Sequence, residues 1–166
     1  MIIASRIRPC NDVTTQRKNV MASTSTFEMI VPVFPADIDE QNHVNNTVYV
    51  RWVQEVATAH WRAIASPEVE QVIGWVVLRH EIDYKAPAML GDEIVLRTWV
   101  GEATRLRFER FTEIRRKSGR RGDTNSFRGE IGNQLLSQAR TLWCPIDTKT
   151  GRPVRVSAAV RSQFSI

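Results

Sequence analysis

The chain has 166 residues, of which 42% are hydrophobic and 25% charged, as in a single globular domain. No apolar run approaches the roughly 18 residues that a transmembrane helix needs, and no apolar segment of a secretory signal follows the first arginines. The two cysteines and three histidines have no spacing typical of a disulfide framework or a zinc site. The sequence therefore predicts a cytoplasmic protein without a membrane contact or a metal.

The net charge of +5 and the pI of about 9.8 require that a polyanionic partner be considered. Much of the excess lies in one short segment, at Arg115, Arg116, Lys117, Arg120, Arg121 and Arg128. A single-stranded nucleic acid site would interleave such charges with aromatic side chains, and this segment has only Phe127. Binding of nucleic acid is therefore not predicted.

Residues 1–26 are polar without a sustained period and indicate a flexible leader, so the domain is predicted to be residues 27–166. Alternating apolar residues predict a first strand over Phe27–Phe34. A helix is then predicted from about Asn46 to Ile64, before Ser66-Pro67. Its main apolar stripe is Val48, Trp52, Val56, Ala59 and Ala63.

Only strands and one short helix are predicted after the long helix. The strands are Val72–Tyr84, Glu93–Val100, Arg105–Arg115 and Ile131–Ile146, with a basic loop over Lys117–Gly129 and a helix over Ser157–Phe164. In the first of these strands, one face is predicted to hold Val76, Leu78, His80, Ile82 and Tyr84. The order indicates an α+β fold with one central helix and an antiparallel sheet. Three aromatic residues are candidates for a dimer contact: Trp75, Trp99 and Phe111.

The turn before the long helix, residues 37–46, concentrates two carboxylates, an imidazole and several amides. A helix N-terminus has unpaired backbone N–H groups, and its dipole favours negative charge. This pattern is compatible with a catalytic site. It is equally compatible with ordinary turn and cap residues at Asp37, Asp39, Asn45 and Asn46.

The same turn resembles a motif of the hot-dog fold acyl thioesterases, both the 4-hydroxybenzoyl-CoA type and the plant type that acts on acyl carrier protein. The matching residues are Asp37, Asp39, His43, Val44, Asn45, Asn46 and Tyr49, followed by a helix with Trp52 and Glu55. A second match runs from Trp75 to Glu93 and a third from Thr150 to Pro153. The resemblance covers roughly Phe27 to Pro153.

The resemblance implies a long helix wrapped by an antiparallel sheet, in a homodimer or homotetramer with active sites between subunits. It also implies that Asp39 is the nucleophile or general base and that His43 is catalytic. Two positions depart from the family. Asn42 stands where many members have glycine for a positive φ, and Gln41 stands where the plant-type enzymes have asparagine.

The expected activity is hydrolysis of an acyl-CoA or acyl-carrier-protein thioester to an acid and a thiol. Asp39 would attack the carbonyl or deprotonate water, and His43 would orient the water, polarise the carbonyl or protonate the leaving group. The backbone N–H groups of Val44, Asn45 and Asn46 would bind the oxyanion. No cofactor is required.

Other polar residues are given structural roles. Asp37 is predicted to accept turn hydrogen bonds, and Glu55 to pair with Arg51 on the helix surface. His60 and His80 lie on apolar faces, which favours hydrogen-bonded core histidines. Cys144 lacks a histidine nearby in sequence and is not a predicted nucleophile.

Two alternative functions are compatible with the same fold: a non-catalytic module that binds an acyl group or CoA, and a dehydratase that leaves the thioester intact. The basic loop likewise has two interpretations. It could bind the phosphates of CoA or an acidic carrier protein, or it could be a solvated hairpin tip.

Overall fold

A computed structural model describes residues 26–117 and 134–164. The predicted leader, except Thr26, and the predicted basic loop, except Lys117, lie outside the described residues. The elements are β1 (Phe27–Pro32), α1 (Asn46–Ile64), α2 (Pro67–Val72), β2 (Ile73–Tyr84), β3 (Glu93–Ala103), β4 (Phe108–Arg116), β5 (Gln134–Asp147) and α3 (Ala158–Gln163).

The strands form one antiparallel sheet in the order β1-β3-β4-β5-β2, so β1 and β2 are its edges. The long helix α1 lies against the sheet and contacts β1 and β3. The α+β fold predicted from the sequence is confirmed. The short helix α2, which was not predicted, begins at Pro67, a residue favoured in the first turn of a helix.

Helix α1 starts and buries its face largely as its sequence predicts. The Asn45 side chain caps it by accepting hydrogen bonds from the Thr47 N–H (2.9 Å) and hydroxyl (2.7 Å). One part of the predicted apolar stripe is wrong, because Ala63 is exposed whereas Ala57 is buried. The buried residues of the helix are Val48, Tyr49, Trp52, Val53, Val56, Ala57 and His60.

The core has two parts that meet along α1. The first surrounds the N-terminal half of the helix and includes Trp52, Val53, Ile94, Leu96, Ile114 and Leu136. The second surrounds its C-terminal half and includes Ala57, Val100, Phe108, Trp143, Val160 and Phe164. Helix α3, capped by Ser157 as predicted, contributes Val160 to the second part, and Phe164 follows directly after it. The C-terminal segment thus completes the core beneath α1.

Strand β2 contradicts the predicted face. Its register with β5 shifts between Val77 and Arg79, so the inward and outward positions exchange there. Before the shift, Trp75 and Val77 pack against the second part of the core, whereas Val76 and Leu78 are exposed. Trp75 is therefore not an outward-facing dimer residue.

Two of the predicted dimer aromatics do lie on the outer face of the sheet. Trp99 and Phe111 stack with ring centroids 5.7 Å apart, and their strand neighbours Thr98 and Thr112 point into the core. The inward face of β4 also holds Arg110, which the alternation did not predict. Leu106, which lies within the predicted strand Arg105–Arg115, precedes β4 and is exposed.

His60 is the hydrogen-bonded core histidine that the sequence predicts. Its Nδ1 lies 3.0 Å from a terminal nitrogen of Arg110, and its ring stacks on Phe27 at a centroid distance of 5.2 Å. Burial, and then the Arg110 charge, lower the pKa of His60 from 6.5 to about 4. His80 is also bonded, with Nδ1 2.9 Å from the Thr141 hydroxyl.

The lowered pKa of His60 predicts a loss of stability in mild acid. The folded protein binds fewer protons than the unfolded chain between pH 6.5 and about 4, so stability is complete above 6.5 and falls as pH drops through this window. The loss of folding stability from His60 over the whole window is about 3 kcal/mol. The variant His60→Gln keeps an acceptor for Arg110 but does not titrate, so urea unfolding from pH 7 to 4 should show a flatter decline. His43→Gln, in the turn before α1, is the control. If stability in His60→Gln falls with pH as steeply as in the wild type, His60 is not the group responsible.

Candidate active site

The turn before α1 is closed by its own backbone. The Asp39 N–H donates to the His43 carbonyl (2.9 Å), and the Asn42 N–H donates to the Asp39 carbonyl (3.0 Å). Asn42 has φ of +63°, the left-handed conformation that glycine adopts most readily and asparagine next. The backbone role predicted for Asn42 is thus confirmed. The turn holds the side chains of Asp39 and His43 on the same side of one short loop.

The Asp39 carboxylate is partly exposed, at 23% of its side-chain surface. Its Oδ1 accepts a hydrogen bond from the Gln41 N–H at 2.9 Å, which fixes the orientation of the carboxylate. Its Oδ2 lies 3.6 Å from His43 Nδ1. One oxygen is therefore anchored, while the other faces the imidazole from just beyond hydrogen-bond distance.

Gln41 belongs to this group, although it was only noted as a departure from the family pattern. Its Oε1 lies 3.2 Å from His43 Nε2, and its N–H binds Asp39. The imidazole therefore faces an oxygen acceptor at each ring nitrogen, Gln41 Oε1 at Nε2 and Asp39 Oδ2 at Nδ1. Gln41 lies two residues from both Asp39 and His43. This spacing within a tight turn was the sequence signal that could have indicated their contact.

Asp37 has the structural role predicted for it. It is buried, accepts the Phe34 N–H at 2.9 Å and binds a terminal nitrogen of Arg51 at 2.7 Å. Arg51 also pairs with Glu55, with Nε to Oε1 at 3.4 Å, as the helical spacing predicted. Asp37 therefore fastens the start of the turn to the first turns of α1.

The predicted set of backbone donors needs correction. The Val44 N–H already donates to the Ala88 carbonyl, and the Asn45 N–H to the Asp37 carbonyl, both at 2.9 Å. Neither amide is free for an oxyanion. Among the described residues, no acceptor binds the N–H of Asn46, the first residue of the helix. The donor set is therefore reduced from three amides to that of Asn46.

The connection between β2 and β3 supports the turn from the other side. The Ala88 N–H donates to the Tyr49 hydroxyl at 2.8 Å, while the Ala88 carbonyl accepts from Val44. Asp92 Oδ2 accepts from the Met89 N–H and from Arg116 Nε, both at 2.8 Å. Sequence patterns did not reveal these partners, since they lie about forty residues from the turn they hold.

Comparison with protein families identifies the chain. Residues 33–164 match the model of the thioesterase-like superfamily, which covers most of the sequence. The chain belongs to the thioesterase-like superfamily. This thioesterase is accordingly a thioester hydrolase, and the enzyme class predicted from the sequence is confirmed. No curated protein matches it.

Solved structures share the fold of this thioesterase at low sequence identity. A 4-hydroxybenzoyl-CoA thioesterase mutant bound to 4-hydroxybenzoyl-CoA has a TM-score of 0.70 at 18% identity, covering 84% of this chain and 98% of that chain. A 1,4-dihydroxy-2-naphthoyl-CoA thioesterase from Synechocystis has a TM-score of 0.66 at 19% identity, covering 85% of this chain and 96% of that chain. A Thermus thermophilus thioesterase bound to coenzyme A and zinc has a TM-score of 0.64 at 20% identity, covering 82% of this chain and 90% of that chain. The hot-dog fold is confirmed.

Within residues 26–117 and 134–164, no three His, Cys, Asp or Glu side chains are grouped so that they could hold a metal ion. In the same ranges, no helix has the length and apolar character needed to cross a membrane.

Proposed function

We propose that this thioesterase hydrolyses acyl-CoA thioesters by an attack that Asp39 assists. The observation that carries the proposal is the placement of the Asp39 carboxylate in the turn that leads into α1. One of its oxygens is anchored by the Gln41 N–H, and the other faces His43. The unpaired Asn46 N–H begins the helix that follows.

The proposed reaction forms one C–O bond and breaks one C–S bond. As general base, Asp39 takes a proton from water while the water oxygen attacks the thioester carbonyl. The alternative is direct attack by Asp39, which gives a mixed anhydride that water then hydrolyses. In both routes the C–S electron pair leaves on the thiolate. His43 stands within reach of Asp39 to orient the water or to return a proton to the thiolate.

The Asn46 N–H supplies the electrostatic part of the proposal. As the carbonyl oxygen gains charge, an amide at the positive end of the α1 dipole is a favourable donor. Loss of one such donor costs about 2.7–4 kcal/mol in the transition state of well-studied hydrolases. The cap helps here, because the Asn45 side chain binds Thr47 and leaves the Asn46 amide unused.

Coenzyme A as the carrier is supported by structures of the same fold that bind coenzyme A or 4-hydroxybenzoyl-CoA. A homodimer or homotetramer is part of the proposal as well. Val76 and Leu78 are exposed on β2, at the edge of the sheet, and Trp99 stacks with Phe111 on its outer face. Exposed apolar side chains of this kind are typical of surfaces that other subunits cover.

A panel of thioesters tests the proposed activity. Aromatic and aliphatic acyl-CoA esters, with matched acyl-carrier-protein esters, are incubated with the protein while free thiol and free acid are measured. We expect equal amounts of thiol and acid and at least one acyl-CoA ester hydrolysed far above the buffer rate. Binding without release of thiol would instead indicate a non-catalytic module, and an altered acyl chain on an intact thioester would indicate a dehydratase. Either result would reject the proposal.

A further inference from the structure

A cavity of about 210 Å³ lies at the other end of α1, away from the turn. Its wall is mostly aromatic and includes Trp61, Trp75, Phe108, Trp143 and Phe164. Thr58 also lines it, and the helical rise places that residue about 18 Å along α1 from Asn46. Exposed Gln54 lines it too, so the cavity reaches the surface. Within one subunit this is a separate space from the proposed active site.

Arg110 lines this cavity and has no carboxylate partner within the described residues. Its side chain is buried, with 6% of the residue exposed. One terminal nitrogen contacts His60 Nδ1 at 3.0 Å and the Thr98 hydroxyl at 3.2 Å, and both partners are uncharged at neutral pH. The guanidinium carbon of Arg110 also lies 5.9 Å from the centre of the Phe164 ring. A buried charge is costly unless an opposite charge pairs with it, and the described partners of Arg110 are all neutral.

Two further donors line the same cavity. The indole N–H groups of Trp75 and Trp143 are buried, and among the described residues neither has an acceptor. A buried donor without a partner costs about 1–3 kcal/mol. The residues that line the cavity therefore carry one cation and two buried neutral donors that have no acceptor among the described residues.

The chemistry of the wall defines the ligand. Apolar aromatic walls favour a ring or a short apolar body, and an apolar cavity of about 150 Å³ is known to hold benzene. The guanidinium and the indoles favour an anionic oxygen acceptor, with a carboxylate as the group that arginine binds best. Burial lowers the pKa of Arg110 only to about 10, so the guanidinium is charged at neutral pH.

We propose that this cavity is a second binding site, for a small aromatic monocarboxylate whose carboxylate pairs with Arg110. The ring of the acid packs against Trp61, Phe108 and Phe164, and the indole N–H groups bind its oxygens. A carboxylate could reach the cavity as a free acid or as the far end of an acyl group on a thioester. Gln54, the lining residue of α1 nearest to Asn46, lies about 12 Å from it along the helix, which favours the free acid because a small acyl group does not span both places.

Calorimetric titration of the full chain with benzoate, and with benzamide as its neutral isostere, tests the proposal. We expect benzoate to bind at least about tenfold more tightly than benzamide, a difference of 1.4 kcal/mol. Arg110→Met, which is similar in length and apolar, should abolish this preference. Trp75→Phe keeps an aromatic ring, although a smaller one, and removes the indole N–H; it should weaken benzoate binding several-fold. Equal binding of benzoate and benzamide would overturn the proposal.

Two controls separate this site from the active site. Asp39→Asn should leave benzoate binding unchanged, so a change in either direction would show that benzoate occupies the turn before α1 and would reject the second site. A CoA thioester whose acyl group ends in a carboxylate tests whether the carboxylate bound by Arg110 belongs to the substrate instead of a free acid. If Arg110→Met slows its hydrolysis but leaves benzoate binding intact, the free-acid site is wrong. Should Arg110→Met not fold, the benzoate preference and the Trp75→Phe result still decide.

Discussion

The variant Asp39→Asn should hydrolyse acyl-CoA about 10²–10⁴-fold more slowly than the wild type, with little change in stability. The substitution keeps the shape of the side chain, and the amide oxygen can still accept the Gln41 N–H that orients Asp39. An amide is neither a base nor a nucleophile at neutral pH, so it cannot take the proton of water or attack the carbonyl. The measurement is kcat for the best ester of the panel, with circular dichroism and urea unfolding on the same samples.

Glu40→Gln is the matched control for this experiment. Glu40 is the next residue in the same turn and is exposed, so its substitution removes one charge at nearly the same place. We expect a change in kcat below about threefold, because a surface charge acts through screened electrostatics. Near-full activity in Asp39→Asn, or an equal loss in Glu40→Gln, would remove Asp39 from the mechanism.

The second large effect is expected on stability, in Asp92→Ala. The Asp92 side chain is 2% exposed and pairs with Arg116. It also accepts a hydrogen bond from the Met89 N–H. Removal of one partner of a buried ion pair typically costs 3–5 kcal/mol, because it leaves the other charge buried and unpaired. Urea unfolding at pH 7 should therefore show a midpoint shift equivalent to about 3–5 kcal/mol.

The adjacent residue provides the comparison. Glu93 pairs with Lys117 at 3.4 Å, but the two side chains are 60% and 43% exposed. Glu93→Ala should cost less than about 1 kcal/mol, since exposed pairs contribute little. If Asp92→Ala and Glu93→Ala lose similar amounts of folding stability, burial does not strengthen the pair between Asp92 and Arg116. The folded fraction of Asp92→Ala should also be less active, because Met89 adjoins Ala88, which binds the turn proposed as the active site.

Local patterns predicted the elements of the fold well. The apolar stripe and the Ser66-Pro67 break located α1, and the glycine that many family members have at the position of Asn42 indicated the positive φ that the structure has. The family motif identified Asp39 and His43, which the turn brings to within 3.6 Å. Such features depend on neighbours within a few residues, and the sequence displays those directly.

The features that were missed depend on partners far along the chain. The inverted face of β2 arises from its register with β5, and alternation within β2 alone cannot show an irregularity between Val77 and Arg79. The amides of Val44 and Asn45 look free in a helix N-terminus, but Ala88 and Asp37 supply their acceptors. Arg110 was likewise missed, because periodicity assigns arginine to the outside of a strand.

The link between Tyr49, Ala88 and Val44 has a consequence for how the site behaves over time. Tyr49 belongs to the first turns of α1, Ala88 to the segment before β3, and Val44 to the turn before α1. Because all three are buried and bonded in series, the turn cannot separate from the helix without breaking contacts to the sheet. The turn and the sheet should therefore open as one cooperative unit, at a free energy close to that of global unfolding. A substrate would meet a site that is already formed, and its binding energy would not be used to order the turn.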